Sequence, residues 1–488
     1  MTYSESELSA LGAAVLRLDL MSFIHQCFRV LNPETTFSDA PHLQVIAAKM
    51  SDCHLGKGPK RLIFCLPPRS LKSLSVSVAS VAWILGRDPS KRIICASYGQ
   101  DLAEKHARDT RTILTSPFYQ QLFPNSRLTK NSVSDFQTTR HGYRMATSVG
   151  GVLTGREGDI LILDDPQKPS EALSQTSRDA VNDWFDNTLL SRLDNKETGV
   201  IIIVMQRLHQ DDLVGHLLGR GDDWTVLSFP AIAEKDEEYS IDTVCGPDRY
   251  VRRAGEVLDP QRESLYTLLD LKNQIGSYNF ASQYQQDPTP GAGNMVLNEW
   301  IQYYDPASSL PPFSLTLHSW DTANKSGELN DYSVCTSWGV HNGRYFLLDV
   351  FRQKLDYPTL KRTVVDRFEK SRPNVVLIED RASGTQLIQD LRPQLGYRLK
   401  PYAPLPQMDK TTRLHAQTAL FEGGKVLLPR VAPWLTEYLR ELTSFPGTKY
   451  DDQVDSTTQA LDHMNSKKSR DVLGQTWSLS LSWDQAFL

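Results

Sequence analysis

The sequence lacks the features of a membrane or exported protein. No stretch of about 18 apolar residues occurs, so no conventional membrane-spanning helix is expected. Residues 1–20 have no basic segment ahead of an apolar core, and therefore predict an amphipathic helix and not a signal peptide. No two cysteines are two or three residues apart, so no zinc motif is present. The cysteines are Cys27, Cys53, Cys65, Cys95, Cys245 and Cys335. A reducing cytosol is the natural setting.

An excess of positive charge is also missing. The chain has 53 Lys+Arg against 58 Asp+Glu, for a net charge of −5. This balance argues against a protein that coats nucleic acid through bulk positive charge, although local basic patches are still allowed. The 488 residues, of which 40% are hydrophobic, favour a soluble globular protein of two or three domains.

The first half of the sequence alternates apolar runs with amphipathic segments. Helices are predicted over Ser73–Leu85 and Gln100–Leu114. The predicted strands are Arg61–Leu66, Arg92–Ser97, Ile160–Asp164, Val200–Met205 and Thr225–Phe229. This alternation predicts an α/β domain with a mostly parallel, doubly wound sheet over residues 1–235, of which residues 1–55 form an N-terminal helical part.

The second half begins with residues 236–305, which are charged and then rich in Pro and Gly. They predict a linker region with one helix near Ser264–Ile275. A second α/β domain is predicted over 306–470, with a helix from about Val454. Its predicted strands are Thr316–Trp320, Cys335–Val340, Tyr345–Phe351 and Val375–Ile378. Residues 471–488 are predicted to be a tail whose apolar side chains either dock on a partner or pack back on this domain. Those side chains are Trp477, Trp483 and Phe487.

A candidate phosphate-binding loop follows the first strand, where residues 62–73 read LIFCLPPRSLKS. A buried strand, a turn, Lys72-Ser73 and a helix form the usual layout of such a loop. Lys72 would reach the β- and γ-phosphates, and the Ser73 hydroxyl would ligate Mg²⁺. Leu66 and Leu71 occupy the positions where the usual pattern has glycine, so an ordinary turn with a surface lysine is the alternative.

A second strand ends in two acids, where residues 159–166 read DILILDDP. Asp164 would hold Mg²⁺, and Asp165 would orient the attacking water. Arg156 ends a Gly-rich loop and is a candidate arginine finger, or else a structural loop arginine. Gln206 ends a further strand and is a candidate sensor of the γ-phosphate, or else a solvated strand end.

Another set of acids lies in the second half. Asp321 and Glu379 each end a predicted strand, and Asp451, Asp452 and Asp455 begin a predicted helix. Residues three or four apart lie on one helix face. Acids from separate elements can converge on two divalent metals and cleave a phosphodiester. Each acid alone is also explained as a turn residue or a helix N-cap.

Six motifs in this order resemble the large terminase subunits of tailed phages. They span about residues 41–460 and read PPRSLKS, SVGGVLTGREGDILILDDP, VMQRLHQDDLVGHLL, WDTA…NDYS, VVLIEDRASGTQLIQDL and YDDQVDS. The resemblance implies an N-terminal P-loop ATPase of the ASCE (RecA-like) class and a C-terminal nuclease of RNase H-like fold. It also implies a motor that hydrolyses ATP to package double-stranded viral DNA and cuts concatemers with Mg²⁺ or Mn²⁺.

The resemblance also implies roles, partners and a location. The implied nucleotide residues are Gln44 (at adenine), Arg69, Lys72, Ser73, Asp164 and Asp165, and the implied cleavage residues are Asp321, Glu379 and Asp452. The implied partners are a small terminase subunit, the capsid portal and further copies in a ring on the portal. The expected location is the host cytoplasm, docked on the procapsid, with no membrane and no place in the mature virion. The sequence departs from the family by lacking the loop glycines and by having Asp165 where Glu is usual.

Three alternatives remain for the whole chain. It is a translocase or helicase without nuclease activity, a structural assembly protein with an inactive ATPase, or an integrase-like nuclease with an unrelated N-terminal domain. The presence of Lys72, Asp164 and all three cleavage acids weighs against the first two. The ordered strand motifs before Pro230 weigh against the third.

Overall fold

The computed structural model describes residues 5–481 apart from 154, 222, 289–294, 323–331, 382, 405–407 and 448–449. Side chains are not described at 5–9, 130–131 and 467–481. The chain divides between Pro290 and Gly291 into two compact units, here called unit 1 and unit 2.

Unit 1 contains ten α-helices and ten strands within the described residues, and a π-helix over Leu74–Ala79 leads into the fourth α-helix. The helices are α1 (Glu5–Leu18), α2 (Leu20–Leu31), α3 (His42–His54), α4 (Ser80–Arg87), α5 (Gln100–Thr115), α6 (Pro117–Leu122), α7 (Gln175–Trp184), α8 (Leu213–Gly219), α9 (Leu265–Ile275) and α10 (Ser277–Gln283). The strands are β1 (Arg61–Cys65), β2 (Arg92–Ser97), β3 (Leu128–Asn131), β4 (Asp135–Thr138), β5 (Tyr143–Ser148), β6 (Ile160–Asp164), β7 (Val200–Met205), β8 (Thr225–Ser228), β9 (Glu237–Thr243) and β10 (Gly246–Arg252).

Eight strands of unit 1 form one sheet in the order β3-β4-β5-β2-β6-β7-β1-β8. In this order, the strands β5, β2, β6, β7, β1 and β8 all pair in parallel with their neighbours. At one edge, β3 pairs antiparallel with β4, and β4 pairs antiparallel with β5. Both faces of the sheet are covered. Leu62 and Phe64 of β1 join one apolar core, while Ile63 and Cys65 join the other. Strands buried on both faces are continuous apolar runs, which is why their positions were predictable. The predicted parallel α/β fold of this half is confirmed.

The N-terminal residues form two helices. Asp19 caps α2 by accepting a hydrogen bond from the Ser22 backbone N–H, and α2 buries Phe23, Ile24 and Cys27 in the core. Within the part of the chain that the structure describes, no single helix is long and apolar enough to cross a membrane, and only α1 and α2 together, bent by 105°, meet that length and composition test.

Residues 236–288, which belong to the 236–305 segment expected to be linker, instead pack with unit 1. β9 and β10 form an antiparallel hairpin, and Ile241, Tyr250 and Leu258 join the core of this unit. Inward residues alternate with exposed ones along the hairpin, as expected for strands that bury one face only: Tyr239 and Ile241 of β9 and Tyr250 of β10 face inward, together with the buried Arg252–Glu237 ion pair. The charged outer residues made this segment resemble a linker in composition. The helix predicted near Ser264–Ile275 is α9.

Unit 2 contains a seven-stranded sheet in the order β11-β17-β14-β13-β12-β15-β16. Its strands are β11 (Gln302–Tyr304), β12 (Leu315–Asp321), β13 (Ser333–His341), β14 (Arg344–Gln353), β15 (Val375–Glu379), β16 (Leu399–Tyr402) and β17 (Val426–Pro429). Its helices are α11 (Tyr357–Ser371), α12 (Ser383–Leu395), α13 (Lys410–Glu422), α14 (Leu435–Ser444) and α15 (Asp452–Leu481). β12, β13 and β14 are antiparallel, and the other pairs are parallel. This mixed sheet with a core on each face agrees with the predicted RNase H-like α/β fold.

The last helix, α15, packs on the middle of this sheet. The Ser456 hydroxyl donates to the Ser319 carbonyl oxygen over 2.8 Å and accepts from the Thr336 backbone N–H over 3.1 Å. The helix continues to Leu481 and so includes part of the segment expected to be a tail. The side chains of Trp477, Trp483 and Phe487, and Asp331 of the NDYS motif, lie outside the described residues.

Candidate functional sites

Three strand ends meet at one edge of the unit 1 sheet. β1 and β6 each pair in parallel with β7, so the loop after Cys65, the acids after Leu163 and Gln206 all follow the carboxyl ends of adjacent strands. This edge is where open parallel sheets bind their ligands.

Five of the residues predicted for the nucleotide site contact one another there. The Lys72 Nζ donates to Asp165 Oδ1 over 2.8 Å, and the Ser73 hydroxyl donates to Asp164 Oδ1 over 2.9 Å. The Gln206 backbone N–H donates to the same Asp165 oxygen over 3.2 Å. The loop and the acid pair, 91 residues apart in sequence, therefore form one site.

The loop before Lys72 adopts backbone angles that favour glycine. Arg69 and Leu71 have φ values of 61° and 58°, in the left-handed region. For a residue with a Cβ this conformation costs about 1–2 kcal/mol. Leu71 thus takes the conformation of the glycine that it replaces. In the described part of the chain, the backbone N–H groups of residues 70–73 donate no hydrogen bond, which leaves them available to an anion.

Burial perturbs the acid pair. Asp164 is 1% exposed, and burial raises its pKa against the opposing charge of Lys72. Burial likewise raises the pKa of Asp165, again opposed by Lys72. Asp164 Oδ2 has no hydrogen bond of good geometry, although His106 Nδ1 lies 3.4 Å from it and the Ser77 hydroxyl is near enough to Asp164 to lower its pKa. Burial also lowers the pKa of His106 to about 4, so this imidazole is neutral at neutral pH.

The unpaired polar atoms at this edge fit a nucleotide with its metal. Asp164 Oδ2 and Gln206 Oε1 are buried oxygens without a hydrogen bond of good geometry, and Lys72 is a buried cation. An unpaired buried oxygen is costly and is expected to find a partner. A hydrated Mg²⁺ would supply it for the two oxygens, and the free N–H groups of the loop would hold phosphate.

Three further predicted residues lie elsewhere or make other contacts. Arg156 Nη2 donates to Asp135 Oδ2 over 2.6 Å, and its guanidinium lies 5.4 Å from the Tyr143 ring centre. Gln44 lines a cavity of about 680 Å³ between the N-terminal helices and the β9–β10 hairpin. Arg69 is exposed on the loop.

His42, which the sequence analysis did not select, contacts the loop through its Nε2, 3.2 Å from the Ser70 carbonyl oxygen. It is two residues before Gln44 and is almost fully buried. The sequence signal that could have identified His42 is its position two residues before Gln44, the candidate adenine-binding residue.

The acids of unit 2 also converge. β12 and β15 are parallel neighbours, with Trp320 beside Ile378, so Asp321 and Glu379 end adjacent strands. The first turn of α15, held against β12 and β13 by Ser456, brings Asp452 and Asp455 to the same edge.

Two basic residues of α13 lie among these acids. The Lys410 Nζ is 2.7 Å from Asp451 Oδ1 and 2.7 Å from Asp455 Oδ2. The Arg413 Nη2 donates to Asp455 Oδ1 over 2.8 Å, and its Nη1 is 3.8 Å from Glu379 Oε1. Sequence analysis missed both residues. The only local signal was their spacing. Lys410 and Arg413 are three positions apart at the start of α13, directly after the N-cap residue Asp409, and therefore lie on one helix face.

Mutual repulsion identifies which acids share the site. Burial raises the pKa of Asp321 well above its usual value, and the charges of Asp455, Glu379 and Asp452 raise it further, in that order. Burial and the neighbouring Asp451 raise the pKa of Asp452 to about 6. Burial raises the pKa of Asp455 against the opposing Arg413 and Lys410. Asp455 is therefore the helix acid that interacts most strongly with Asp321.

The donor set is suited to a hard divalent cation. Asp321, Glu379, Asp452 and Asp455 all provide oxygen ligands of the kind that Mg²⁺ and Mn²⁺ prefer. A bound cation would let these neighbouring carboxylates stay ionised together. As the side chains stand, no three or more potential ligands within the described residues are grouped for a metal ion. Lys410 and Arg413 supply the positive charge instead.

Comparison with known proteins agrees with this architecture. A family model described as the terminase RNaseH-like domain matches residues 318–464. The large terminase subunit of Enterobacteria phage T3 is 24% identical over 302 residues, which are 58% of this chain and 49% of that protein. The chain thus spans about half the length of this curated relative.

Solved structures of similar fold include the large terminase of a thermophilic bacteriophage. One crystal form gives a TM-score of 0.53 at 11% identity and covers 88% of this chain and 99% of that one. The same phage protein in complex with ATP-γ-S gives 0.51 at 11% identity, covering 85% of this chain and 98% of that one. At these identities the likeness shows the fold alone.

Proposed function

We propose that this chain acts as the phage large terminases it resembles do, with unit 1 hydrolysing ATP to move double-stranded DNA into a procapsid and unit 2 cutting that DNA with divalent metal ions. The observation that carries the proposal is the presence of two separate acidic sites, one behind a lysine loop and one at the start of α15. The large terminase of the thermophilic phage, similar in fold, was solved with ATP-γ-S.

In unit 1 the loop residues would bind the nucleotide. The free N–H groups of residues 70–73 and the Lys72 ammonium would hold the phosphates, and Ser73 with Asp164 would hold Mg²⁺. Mg²⁺ would neutralise charge that develops on the phosphates. Lys72 now bonds Asp165, so phosphate binding would draw the lysine away and free this carboxylate to orient a water. The Gln206 backbone N–H also donates to Asp165, so a movement of the Asp165 carboxylate would be felt at the end of β7, directly before Gln206.

In unit 2 the carboxylates would hold the metals. Asp321, Glu379 and Asp455 are the strongest candidates, with Asp452 beside them and Asp451 turned to Lys410. Divalent metal ions activate water and stabilise the leaving oxygen in phosphodiester cleavage. Arg413 would stay in place and fix the orientations of Asp455 and Glu379.

The partners proposed follow from the family: viral double-stranded DNA, a small terminase subunit and the capsid portal, with several copies of the chain in a ring on the portal. The proposed location is the host cytoplasm, docked on the procapsid.

Arg156 is proposed to complete the ATPase site of a neighbouring copy. Its present partner, Asp135, belongs to the same chain, so the arginine would have to leave this ion pair. A mixture of Arg156→Ala and Lys72→Ala proteins tests this role, because each variant keeps what the other lacks. ATPase activity above that of either variant alone is expected, and no recovery in any assembly would contradict action between subunits.

The main test is ATPase and plasmid-nicking assays on the same purified protein. Lys72→Ala should lose ATP hydrolysis and keep cleavage, while Asp321→Ala should do the reverse. Lys105→Ala and Asp366→Ala, which change exposed residues of α5 and α11, are the matched controls. Normal nicking by Asp321→Ala would refute the nuclease assignment. Normal ATP turnover by Lys72→Ala would refute the phosphate-loop assignment.

A further inference from the structure

Lys410 makes the contacts with the unit 2 acids that a bound cation would make. Its ammonium is 2.7 Å from an oxygen of Asp451 and 2.7 Å from an oxygen of Asp455. Asp451 directly precedes α15 and Asp455 lies in its first turn, four residues later, so a single positive charge bridges the two carboxylates. Oxygens held this way have one lone-pair direction fewer for a metal.

Arg413 contacts the same cluster but has far less freedom to move. Its side chain is 6% exposed, against 44% for Lys410. The buried guanidinium bonds Asp455, and its Nε and Nη1 have no hydrogen-bond partner. The lysine, on a flexible stem at the first residue of α13, can swing into solvent, whereas the arginine cannot leave without exposing a buried pocket.

We propose that Lys410 is an exchangeable internal cation that competes with divalent metal for Asp451 and Asp455. Metal binding displaces its ammonium into solvent, and metal loss lets it return. This inference rests on the proposed metal-dependent nuclease function and deepens it. The lysine keeps the acidic cluster neutralised while the site holds no metal, and it weakens metal affinity until enough metal is present. Arg413 remains bound in both states.

The absence of a ready metal cluster supports this competition. Within the described residues, no three potential ligands are grouped around one point, although Asp455, Glu379 and Asp452 are close enough to Asp321 to raise the cost of charging its carboxyl. Asp455 is the member that both cations hold. Release of Lys410 frees one Asp455 oxygen to turn toward Asp321.

The test is Mn²⁺ binding to the full-length protein, without DNA or nucleotide, by calorimetry at pH 7.5. Asp321→Asn identifies the part of the signal that belongs to unit 2. Lys410→Met keeps the length of the stem and removes the charge, while Lys410→Arg keeps the charge. Lys425→Met changes an exposed lysine ahead of β17 and serves as the control. Thermal unfolding confirms that each variant is folded.

The proposal expects Lys410→Met to bind Mn²⁺ at the unit 2 site about tenfold more tightly than the parent chain, since two charge-assisted contacts no longer oppose the metal. Lys410→Arg and Lys425→Met should bind within about twofold of the parent chain. Equal or weaker binding by Lys410→Met would overturn the role of Lys410, while the nuclease assignment would stand. If Asp321→Asn left Mn²⁺ binding unchanged, both the exchange and the metal-dependent function would fail.

Discussion

Replacing Arg413 with methionine should destabilise unit 2 strongly in the absence of metal. The change removes a buried cation that bonds Asp455 over 2.8 Å and faces Glu379 at 3.8 Å. Breaking a buried ion pair from one side costs about 3–5 kcal/mol when the remaining charge is left without compensation. Because Lys410 still contacts the second Asp455 oxygen, the lower end of that range, about 3 kcal/mol, is expected here. For a unit of roughly 150–250 residues, each kcal/mol corresponds to about 2–4 °C, so the unfolding midpoint should fall by about 6–12 °C.

The loss should also depend on pH in a defined direction. Burial already raises the pKa of Asp455, and Arg413 is the largest influence opposing it, so the variant should have a still higher folded pKa. The unfolded value is about 3.9. A carboxyl whose folded pKa is raised loses stability as pH rises through the interval between the two values. The deficit of Arg413→Met should therefore shrink between pH 7.5 and pH 5.

Scanning calorimetry of the full chain in chelator measures both effects. Arg430→Met removes an exposed arginine of the same unit and is the control. Added Mg²⁺ should recover part of the loss, because a divalent cation replaces the missing charge. If the two variants unfolded at the same temperature at both pH values, the buried charge balance derived for this site would be wrong.

Further predictions concern the helix anchor, the loop and the acids. Ser456→Ala should lower the unfolding free energy by about 1–3 kcal/mol in urea titrations, because the buried Thr336 N–H loses its acceptor, whereas the exposed Ser466→Ala should have no effect. Leu71→Gly should keep ATPase activity and gain about 1–2 kcal/mol of stability, because φ is 58° there and glycine does not bear the strain that Leu71 bears. The β-branched Leu71→Val should gain no stability and should turn over ATP more slowly; equal stability of the two variants would contradict the strained loop. The metal-free chain should lose thermal stability as pH rises from about 4 to about 6, because the pKa of Asp452 is about 6 when folded, and saturating Mg²⁺ should flatten this profile; a flat profile without metal would contradict it.

The strands that carry both sites were predictable because they are buried on two faces. β2, β6 and β7 begin and end at the predicted residues, since an apolar run with polar flanks has few other solutions. Once a parallel sheet is accepted, the positions of Asp164 and Glu379 follow, because the carboxyl ends of parallel strands share an edge. The meeting of the phosphate loop with the acid pair is therefore a consequence of strand order.

The features that the sequence analysis missed depend on contacts between distant residues. Arg413 and Asp455 are 42 positions apart, and Arg156 and Asp135 are 21 apart on different elements. No local periodicity marks such a pair. The hairpin of residues 237–252 was mistaken for linker because its charged outer face dominates its composition. Each of these features needs the packed structure, in which the desolvation of a charge selects its partner.

The two acidic sites differ in how their charge is balanced without ligand, and this difference suggests how each is controlled. In unit 1 the cation is Lys72, which belongs to the loop proposed to bind phosphate, so an arriving phosphate would compete with Asp165 for the same ammonium. In unit 2 the cations come from α13, an element that carries none of the predicted ligands. A movement of α13 would therefore change the charge around Asp455 without moving a strand of the sheet. If unit 2 is the proposed nuclease, α13 is the element whose position would set the charge on its acids, whereas the proposed nucleotide site of unit 1 carries its cation on the ligand-binding loop itself.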